Sequence, residues 1–208
     1  MLQNKAVLPG TLALLKELVA IEELQSFSLV GGTALALRYG HRFSEDLDLF
    51  CNRAFDRQQL IDKLVSTYDA DFIHQETGFK KSLFCTIRNV KVDAIYYPHP
   101  QIRPSEVIDG ISFYADEDIA AMKIQAILGR GKKKDFWDLA LLLQQYGLEK
   151  IIDWHTEKFP NQMLLISIPQ TITYFADADL SSDPDCLRGL TWESIKDTIR
   201  KAVREYLA

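Results

Sequence analysis

The sequence predicts an α/β protein in which a mixed, helix-flanked β-sheet is followed by a helical C-terminal part. Short segments with period-two alternation, such as Asp46-Leu47-Asp48-Leu49-Phe50, indicate half-buried strands in the first half of the chain. Segments with a period near 3.6 residues are interleaved with them, as expected for helices that return the chain to a sheet. Beyond Gly147 the patterns are helical. We therefore predict a core over residues 1–115 and a helical part over residues 116–208.

The elements of the predicted core follow from apolar periodicity and from turn residues. Pro9 precedes a helix over residues 8–24, and a second helix over residues 55–68 has Leu60 and Leu64 on its apolar face. A short helix over residues 34–38 follows Gly31 and Gly32, with Thr33 as its expected cap. The predicted strands are residues 28–30, 46–50, 72–75, 83–87 and 90–96, with a short strand pair within 107–114 around Asp109-Gly110.

The predicted helical part begins at Asp116, which is a plausible N-cap residue. Gly129 and Gly131 interrupt the first helix, and Pro160, Pro169 and the polar run at 181–185 break the later ones. The predicted helices are residues 116–128, 135–146, 150–158, 162–175 and 192–207.

The composition and net charge argue against several classes of protein. The 47% hydrophobic and 25% charged fractions are ordinary for a globular protein. No apolar run approaches the roughly 20 residues of a membrane span, and no signal-peptide pattern begins the sequence. Three widely spaced cysteines fit reduced thiols and no zinc site, so we expect a cytoplasmic protein without membrane partners. A net charge of −5 argues against broad electrostatic binding of nucleic acid.

The stretch from Phe27 to Phe50 combines a glycine turn with paired carboxylates. Asp46 and Asp48 are two residues apart in a predicted strand, so they share one face. Two carboxylates this close favour a cation between them, and Mg²⁺ is often held by one or two carboxylates plus substrate phosphates. The preceding Gly-Gly-Thr turn would let phosphate oxygens approach backbone N–H groups at a helix N-terminus. The structural alternatives are an Asx-rich turn and a plain helix C-cap.

Asp93 is a charged residue within the apolar strand Lys91-Val92-Asp93-Ala94-Ile95. A carboxylate in such a strand is rarely buried without a partner. It is therefore either a surface residue on an edge strand or a third acidic group opposite Asp46 and Asp48.

A second informative stretch spans residues 116–147. Ile119, Lys123, Ala126 and Arg130 fall on one helical stripe. A lysine in that stripe either extends to solvent or meets an anion. Asp135 follows, as a helix cap or as a functional residue, and Asp138 lies one turn beyond it.

The motifs G-G-T-A-L-A-L-R-Y-G-H-R-F-S-E-D-L-D-L-F and K-x-x-A…R…K-D-x-x-D-L together resemble the AbiEii/AbiGii-type nucleotidyltransferase toxins of bacterial abortive-infection and toxin–antitoxin systems. These belong to the polymerase-β-like nucleotidyltransferase superfamily. The second motif departs mildly from the family, in which Arg-Asp is more usual than Lys134-Asp135. The resemblance covers roughly residues 27–147.

The resemblance implies roles for the candidate residues. The implied ligands of Mg²⁺ are Asp46 and Asp48, and Asp93 is either the implied ligand of a second metal ion or the implied general base. The implied phosphate contacts are Gly31, Gly32, Thr33, Ser44, Lys123 and the weaker candidate Arg130. Asp135 would orient Lys123 or assist proton transfer, and the helical part would close over the cleft.

The implied reaction transfers a nucleoside monophosphate from a nucleoside triphosphate (NTP) to an acceptor that is RNA, tRNA or protein. A toxin of this kind would have a cognate antitoxin encoded alongside it. The alternatives are transfer to a small molecule such as an antibiotic, transfer of a different phosphate, and a non-catalytic nucleotide-binding or partner-binding module. A basic cluster favours a nucleic-acid acceptor; its residues are Arg130, Lys132, Lys133 and Lys134.

Overall fold

The structure is a computed structural model that describes residues 1–75, 78, 80–129 and 131–208. The described part of the chain divides into two compact units. The first unit comprises Met1–Tyr39, Ser44–Pro100 and Ser105–Tyr114. The second comprises Gly40–Phe43, Gln101–Pro104 and Ala115–Ala208.

The first unit is built on one mixed sheet, which has seven strands among the described residues. The strands are β1 (Ser28–Val30), β2 (Leu47–Cys51), β3 (Phe72–His74), β4 (Ser82–Ile87), β5 (Val90–Tyr96), β6 (Glu106–Ile108) and β7 (Ile111–Phe113). Their order across the sheet is β3-β4-β5-β2-β1-β7-β6. The β2–β5 and β1–β7 pairs are parallel, and the other pairs are antiparallel.

Helices α1 (Pro9–Val19), α2 (Gly31–Tyr39) and α3 (Arg57–Tyr68) complete the first unit. Helix α2 packs on β1 and β2, and α3 packs on β3 and β4. Helix α1 is shorter than predicted, because a separate 3₁₀ turn forms at Glu22–Leu24. Helix α3 begins after Asp56, whose carboxylate accepts hydrogen bonds from two backbone N–H groups of the first turn.

The predicted start of α2 was wrong. The helix begins at Gly31, directly after β1, so Thr33 lies inside the first turn rather than at the cap. Gly31 has φ +70°, a left-handed conformation that glycine adopts without a steric penalty. The turn from strand to helix is therefore made by one glycine, and the Thr33 hydroxyl is available for other contacts.

The second unit is helical. Its helices are α4 (Asp116–Gly129), α5 (Lys133–Tyr146), α6 (Leu148–Lys158), α7 (Ile168–Ile172), α8 (Ala176–Asp179) and α9 (Trp192–Leu207). Helix α4 packs against α5, α6 and α7, and α5 packs against α9. An aromatic cluster fills the space between α5 and α9, where the rings of Trp137 and Trp192 stack 5.5 Å apart.

The predicted helix over residues 162–175 was wrong. The helix in this region is α7, which begins after Ser167 with a capping box. Pro169 is tolerated in the first turn of a helix but not in its interior, so α7 starts there rather than running through it. Met163 and Leu165 precede it and are fully solvent-exposed.

The Gln101–Pro104 segment is fixed within the second unit by a buried ion pair. Asp118 on α4 accepts hydrogen bonds from the backbone N–H groups of Ile102 and Arg103. The Lys158 ammonium on α6 lies 2.5 Å from the same carboxylate, and both side chains are fully buried. This pairing explains why a short connection between strands belongs to the helical unit.

The α/β class and the mixed sheet confirm the predicted fold class. Among the described residues, no helix combines the length and the apolar character that crossing a bilayer requires.

Candidate active site

Strand β2 and the residue before it place two carboxylates on the less buried face of the strand. Leu47, Leu49 and Cys51 are buried, whereas Asp48 is half-buried. The predicted period-two alternation is confirmed, although the strand begins at Leu47 instead of Asp46. Asp46 is also half-buried and lies one residue before the strand, in the alternation that places it with Asp48.

Asp93 lies beside Asp48 in the sheet. The two residues are register partners in the parallel β2–β5 pair, so their side chains leave the same face of neighbouring strands. The expectation of a surface aspartate on an edge strand is wrong, because β5 lies between β4 and β2. Asp93 is 6% exposed, and its Oδ1 atom has no hydrogen-bond partner among the described residues. A buried carboxylate oxygen in this state favours a cation.

Gly31 leaves the space that the Asp48 carboxylate uses. A Cβ atom at Gly31 would lie 2.8 Å from Asp48 Oδ2, closer than real Cβ contacts allow. A side chain at this position would therefore displace the carboxylate and would also strain the backbone at φ +70°. The conformation of the glycine turn and the position of the Asp48 carboxylate therefore depend on each other, which the sequence spacing alone does not reveal.

Two buried hydroxyl groups hold the loop that leads into β2. Thr33 Oγ1 donates a hydrogen bond to the backbone carbonyl of Asp46, and it lies 2.8 Å from Ser44 Oγ. Both residues are buried. In this arrangement the hydroxyls position the Asp46 backbone. Gly32, which follows Gly31 in the first turn of α2, is buried as well.

We define the acidic face as Asp46, Asp48 and Asp93. Lys91 adds a cation to it. Its Nζ atom lies 2.7 Å from Asp93 Oδ2, and its side chain is 55% exposed. Burial lowers the pKa of Lys91, but the hydrogen bond to Asp93 and the charges of Asp93, Asp48 and Asp46 outweigh that effect and raise it. Lys91 and Asp93 are two residues apart on a strand, a spacing that could have predicted the pair.

In the second unit, Lys123 is paired with two carboxylates. Its Nζ atom lies 3.0 Å from Asp135 Oδ1 and 2.7 Å from Asp138 Oδ2. Lys123 is 7% exposed and both aspartates are fully buried, so the expectation that this lysine extends to solvent is wrong. Helix α5 begins at Lys133 after the N-cap residue Lys132, so Asp135 is not the cap.

Arg42 and His41 complete this buried charge cluster. Arg42 donates from Nε to Asp138 Oδ1 at 2.7 Å and from Nη2 to Asp138 Oδ2 at 2.9 Å, which is a bidentate pair. His41 Nε2 lies 2.7 Å from Asp138 Oδ1 and must donate the hydrogen bond, because an ionised carboxylate only accepts. We define the buried charge cluster as His41, Arg42, Lys123, Asp135 and Asp138.

The charges in this cluster stabilise each other. Burial raises the pKa of Asp138, but the nearby Arg42 and Lys123 charges overcome it and hold that pKa well below its usual value. Burial lowers the pKa of Lys123, and the charges of Asp138 and Asp135 raise it above its usual value. Desolvation lowers the pKa of His41, which keeps the imidazole neutral. The cluster therefore contains two cations and two carboxylates, with a neutral histidine.

The candidate residues fall into two groups. Within the first unit, the sheet and the turn before it bring together Gly31, Gly32, Thr33, Ser44, Asp46, Asp48 and Asp93. Within the second unit, helices α4 and α5 bring Lys123 and Asp135 together. Arg130 lies outside the described residues.

Sequence reasoning assigned no role to Arg42, His41, Asp138 or Lys91. Asp138 could have been found, because it is three residues from Asp135 and such residues share a helix face. Arg42 could not, since its partner Asp138 is 96 residues away and no local pattern records the contact.

The acidic face fits a divalent cation. Among the described residues, no group of three or more His, Cys, Asp or Glu side chains is placed to hold a metal ion. Mg²⁺ does not need such a cage, since it is usually bound by one or two carboxylates together with substrate phosphates. The adjacent Asp48 and Asp93 carboxylates, the unpartnered Asp93 oxygen and the close approach of the Asp48 carboxylate to Gly31 match that type of site.

Known proteins are similar to this chain in sequence or in fold. The family described as "Nucleotidyl transferase AbiEii toxin, Type IV TA system" matches residues 13–164. The uncharacterized protein aq_aa25 of Aquifex aeolicus is 32% identical over 204 residues, which cover 93% of this chain and 94% of that protein.

Solved structures with the same fold include two bacterial proteins. MenT4, a nucleotidyltransferase toxin from Mycobacterium tuberculosis, superimposes with a TM-score of 0.62 at 15% identity, covering 91% of this chain and 79% of its own. JHP933 from Helicobacter pylori gives a TM-score of 0.56 at 20% identity, covering 96% and 92% of the two chains. At these identities the likeness concerns the fold, and the family match concerns the sequence. The chain belongs to the AbiEii family of nucleotidyl transferase toxins.

Proposed function

We propose that this protein is a Mg²⁺-dependent nucleotidyltransferase that transfers a nucleoside monophosphate from an NTP to an RNA acceptor, as the toxin of a type IV toxin–antitoxin system. The observation that carries the proposal is the register pairing of Asp48 with Asp93 beside Gly31. It combines adjacent carboxylates with a turn that a phosphate group can approach.

Asp46, Asp48 and Asp93 would hold the metal ion. When bound, Mg²⁺ supplies charge neutralisation for the triphosphate oxygens and for the charge that develops in the transition state. The backbone N–H groups of Gly31, Gly32 and Thr33 in the first turn of α2 would bind phosphate oxygens, because these groups lack partners within the helix. The Thr33 and Ser44 hydroxyls keep the Asp46 backbone in place during this binding.

The reaction proceeds by displacement at the α-phosphorus. An oxygen of the acceptor hydroxyl forms a bond to that phosphorus, the bond to the bridging oxygen of the β-phosphate breaks, and pyrophosphate leaves. Asp93 takes the hydroxyl proton as general base.

Lys123 would bind a phosphate group of the NTP, with Asp135 as its partner. Asp135 and Asp138 keep the Lys123 ammonium protonated, which is the form that a phosphate group requires. Phosphate binding by Lys123 would mean exchanging a carboxylate partner for a phosphate oxygen. Arg130 stays in the proposal as a further phosphate contact on the strength of the family motif.

An RNA acceptor such as tRNA is favoured by the lysine run at the start of α5. Lys132 is exposed, whereas Lys133 lies 2.7 Å from the Asp183 carboxylate. The family description adds the second partner, since a toxin of a type IV system has a cognate antitoxin. We place both partners and the enzyme in the cytoplasm.

The test is incubation of the protein with each α-³²P-labelled NTP, Mg²⁺ and total RNA, and separately with protein alone. Label in a discrete RNA band supports the proposal and identifies the base. Label on the protein itself would indicate a protein acceptor, and label in small molecules would indicate an antibiotic-type enzyme. Asp48→Asn should abolish the label, and a label that survives in this variant would contradict the proposed site.

Toxicity is a separate readout. Expression of the wild type should slow bacterial growth, and Asp46→Ala should relieve the effect if growth inhibition requires nucleotidyl transfer. If cells that express the wild type grow as fast as cells that express Asp46→Ala, the toxin role is contradicted, while the labelling result is unaffected.

A further inference from the structure

Three aromatic side chains lie in contact beside the acidic face, and the proposed reaction gives them no role. The ring centres of Phe50 and Tyr97 are 5.1 Å apart, and those of Tyr97 and His99 are 4.6 Å apart. All three residues are half-buried, so each keeps part of its surface exposed. We define the Phe50 cluster as Phe50, Tyr97 and His99.

The sheet places the Phe50 cluster on the same face as the carboxylates. Phe50 is two residues after Asp48 in β2, so the two side chains leave one face about 7 Å apart. Tyr97 follows β5, and its N–H group donates to the Cys51 carbonyl at 2.7 Å, which extends the β2–β5 pairing past the end of β5. The alternation along β5 therefore puts Tyr97 on the face of Asp93.

Two prolines restrict the backbone of the Phe50 cluster. In the segment Tyr97-Pro98-His99-Pro100, each aromatic residue precedes a proline. A residue before proline favours an extended conformation, and proline fixes its own φ. Residues two apart in an extended chain point the same way, which agrees with the contact between the Tyr97 and His99 rings. The rings are therefore preorganised, and a ligand that stacks on them pays little for ordering the chain.

The Phe50 cluster and the Gly31 turn lie on opposite sides of Asp48. In the antiparallel β1–β2 pair, Val30 is the register partner of Asp48 and Ser28 is the partner of Phe50. Because Gly31 follows Val30, the order along the sheet is Gly31, Asp48, Phe50.

This order decides which substrate meets the Phe50 cluster. In the proposed displacement, the attacking and leaving oxygens lie in line on opposite sides of the α-phosphorus. With the triphosphate at the Gly31 turn, pyrophosphate leaves on the side of that turn. The acceptor hydroxyl then enters from the other side, where the Phe50 cluster lies.

Stacking on aromatic side chains is a common way for proteins to bind the unpaired bases of single-stranded RNA. We propose that the Phe50 cluster stacks on the unpaired terminal base of the RNA acceptor and so brings the terminal hydroxyl of that RNA to Asp93. The inference rests on the proposed function, and it narrows the acceptor to RNA with a single-stranded end. Such a contact accepts any base, because every base has a π-face.

The experiment measures binding of a fluorescein-labelled RNA hairpin with a single-stranded 3′ end by fluorescence anisotropy, using the full-length protein without NTP. Tyr97→Leu removes a ring but keeps an apolar side chain, and it should weaken binding about 5- to 150-fold, the range for one stacked base. Tyr97→Phe keeps the ring and should bind like the wild type. Tyr96→Leu is the matched control, because Tyr96 is also half-buried but is the register partner of Cys51 on the opposite face. It should bind like the wild type, and circular dichroism confirms that each variant is folded.

A second RNA, in which the single-stranded nucleotides lack their bases, tests whether the ring contacts a base. Wild type should bind this abasic RNA as weakly as Tyr97→Leu binds the intact RNA. Tyr97→Leu should not weaken abasic binding further, because the ring and the base then account for the same interaction. An equal loss of affinity for both RNAs in Tyr97→Leu would overturn the inference, as would an equal loss in Tyr96→Leu or unchanged binding in Tyr97→Leu.

Calorimetry with NTP separates the two substrates. If Tyr97→Leu weakens NTP binding and leaves RNA binding unchanged, the Phe50 cluster stacks on the base of the NTP and the inference is wrong. The proposed function is tested independently by RNA labelling, because the binding measurements involve no transfer. RNA labelling that Asp48→Asn abolishes, together with RNA binding that does not depend on Tyr97, would support the proposed function and overturn the inference. Base-dependent RNA binding through Tyr97 without any labelling by the wild type would support the base contact and contradict the proposed reaction.

Discussion

The acidic face of the first unit and the buried charge cluster of the second unit contain similar residues in opposite arrangements. At the face, three carboxylates accompany one lysine that is half exposed. In the cluster, two carboxylates and two cations are matched in number and almost fully removed from solvent. The face has an excess of one sign, and the cluster has none.

Because of this difference, the acidic face can bind a ligand, whereas the buried charge cluster can stabilise the fold. An excess of negative charge at a partly exposed surface is satisfied by an external cation. In a buried, balanced set the charges compensate each other, and the loss of one member leaves another uncompensated. Substitutions at the face should therefore change ligand binding, whereas substitutions in the cluster should first change stability.

The largest effect is expected for Lys123→Met. This change leaves Asp135 and Asp138 with less compensating charge in a buried site, so it should lower the free energy of unfolding by about 3–5 kcal/mol. Urea denaturation followed by circular dichroism measures this. Lys158→Met, which breaks the buried pair with Asp118, should have a similar effect, and exposed Lys132→Met should have none. A stable Lys123→Met protein with weakened NTP binding would move Lys123 from the stabilising to the binding group.

A smaller effect is expected from pH. Burial lowers the pKa of His155 to about 4, below the value of 6.5 that an unfolded chain would show. Between these values the unfolded state binds a proton that the folded state does not, so stability is complete above pH 6.5 and decreases as the pH falls towards 4. The loss should be at most about 3 kcal/mol, since one pKa unit corresponds to about 1.4 kcal/mol.

Thermal denaturation across that pH range measures the slope. His155→Gln should flatten it, with the remainder due to His41, whose pKa is also lowered by burial. An unchanged slope in His155→Gln would show that this histidine is not responsible.

The smallest change in stability is expected for Gly31→Ala. A left-handed conformation costs a residue with a Cβ atom about 1–2 kcal/mol. Gly110→Ala is the matched control, because Gly110 has φ +79° and no described atom lies within 4 Å of the added carbon. Both variants should lose similar stability, but Gly31→Ala should also lose NTP binding, because its Cβ atom displaces the Asp48 carboxylate. Equal NTP affinity in both variants, measured by calorimetry, would contradict the coupling of Gly31 to Asp48.

The sequence predicted the face better than the cluster. The shared face of Asp46 and Asp48 follows from period two, whereas the place of Asp93 beside them was expected only from the family resemblance. The Arg42–Asp138 contact joins segments 96 residues apart, and no periodicity encodes it. The start of α2 and the position of α7 were missed for local reasons, namely the backbone conformation of Gly31 and the placement of Pro169 in a first turn. The closure of the cleft by residues 116–208 stays a prediction.

The most direct test of the acidic face is the affinity for NTP in Mg²⁺ and in EDTA, measured by calorimetry for wild type and Asp48→Asn. Wild type should bind more tightly with Mg²⁺, and Asp48→Asn should bind equally in both conditions while its circular dichroism spectrum stays native. Its transfer rate should fall at least ~10²-fold, because the lost charge acts in the transition state. Asp62→Asn, on the exposed surface of α3, should behave like wild type. Equal wild-type affinity with and without Mg²⁺ would contradict the metal-binding role of the acidic face.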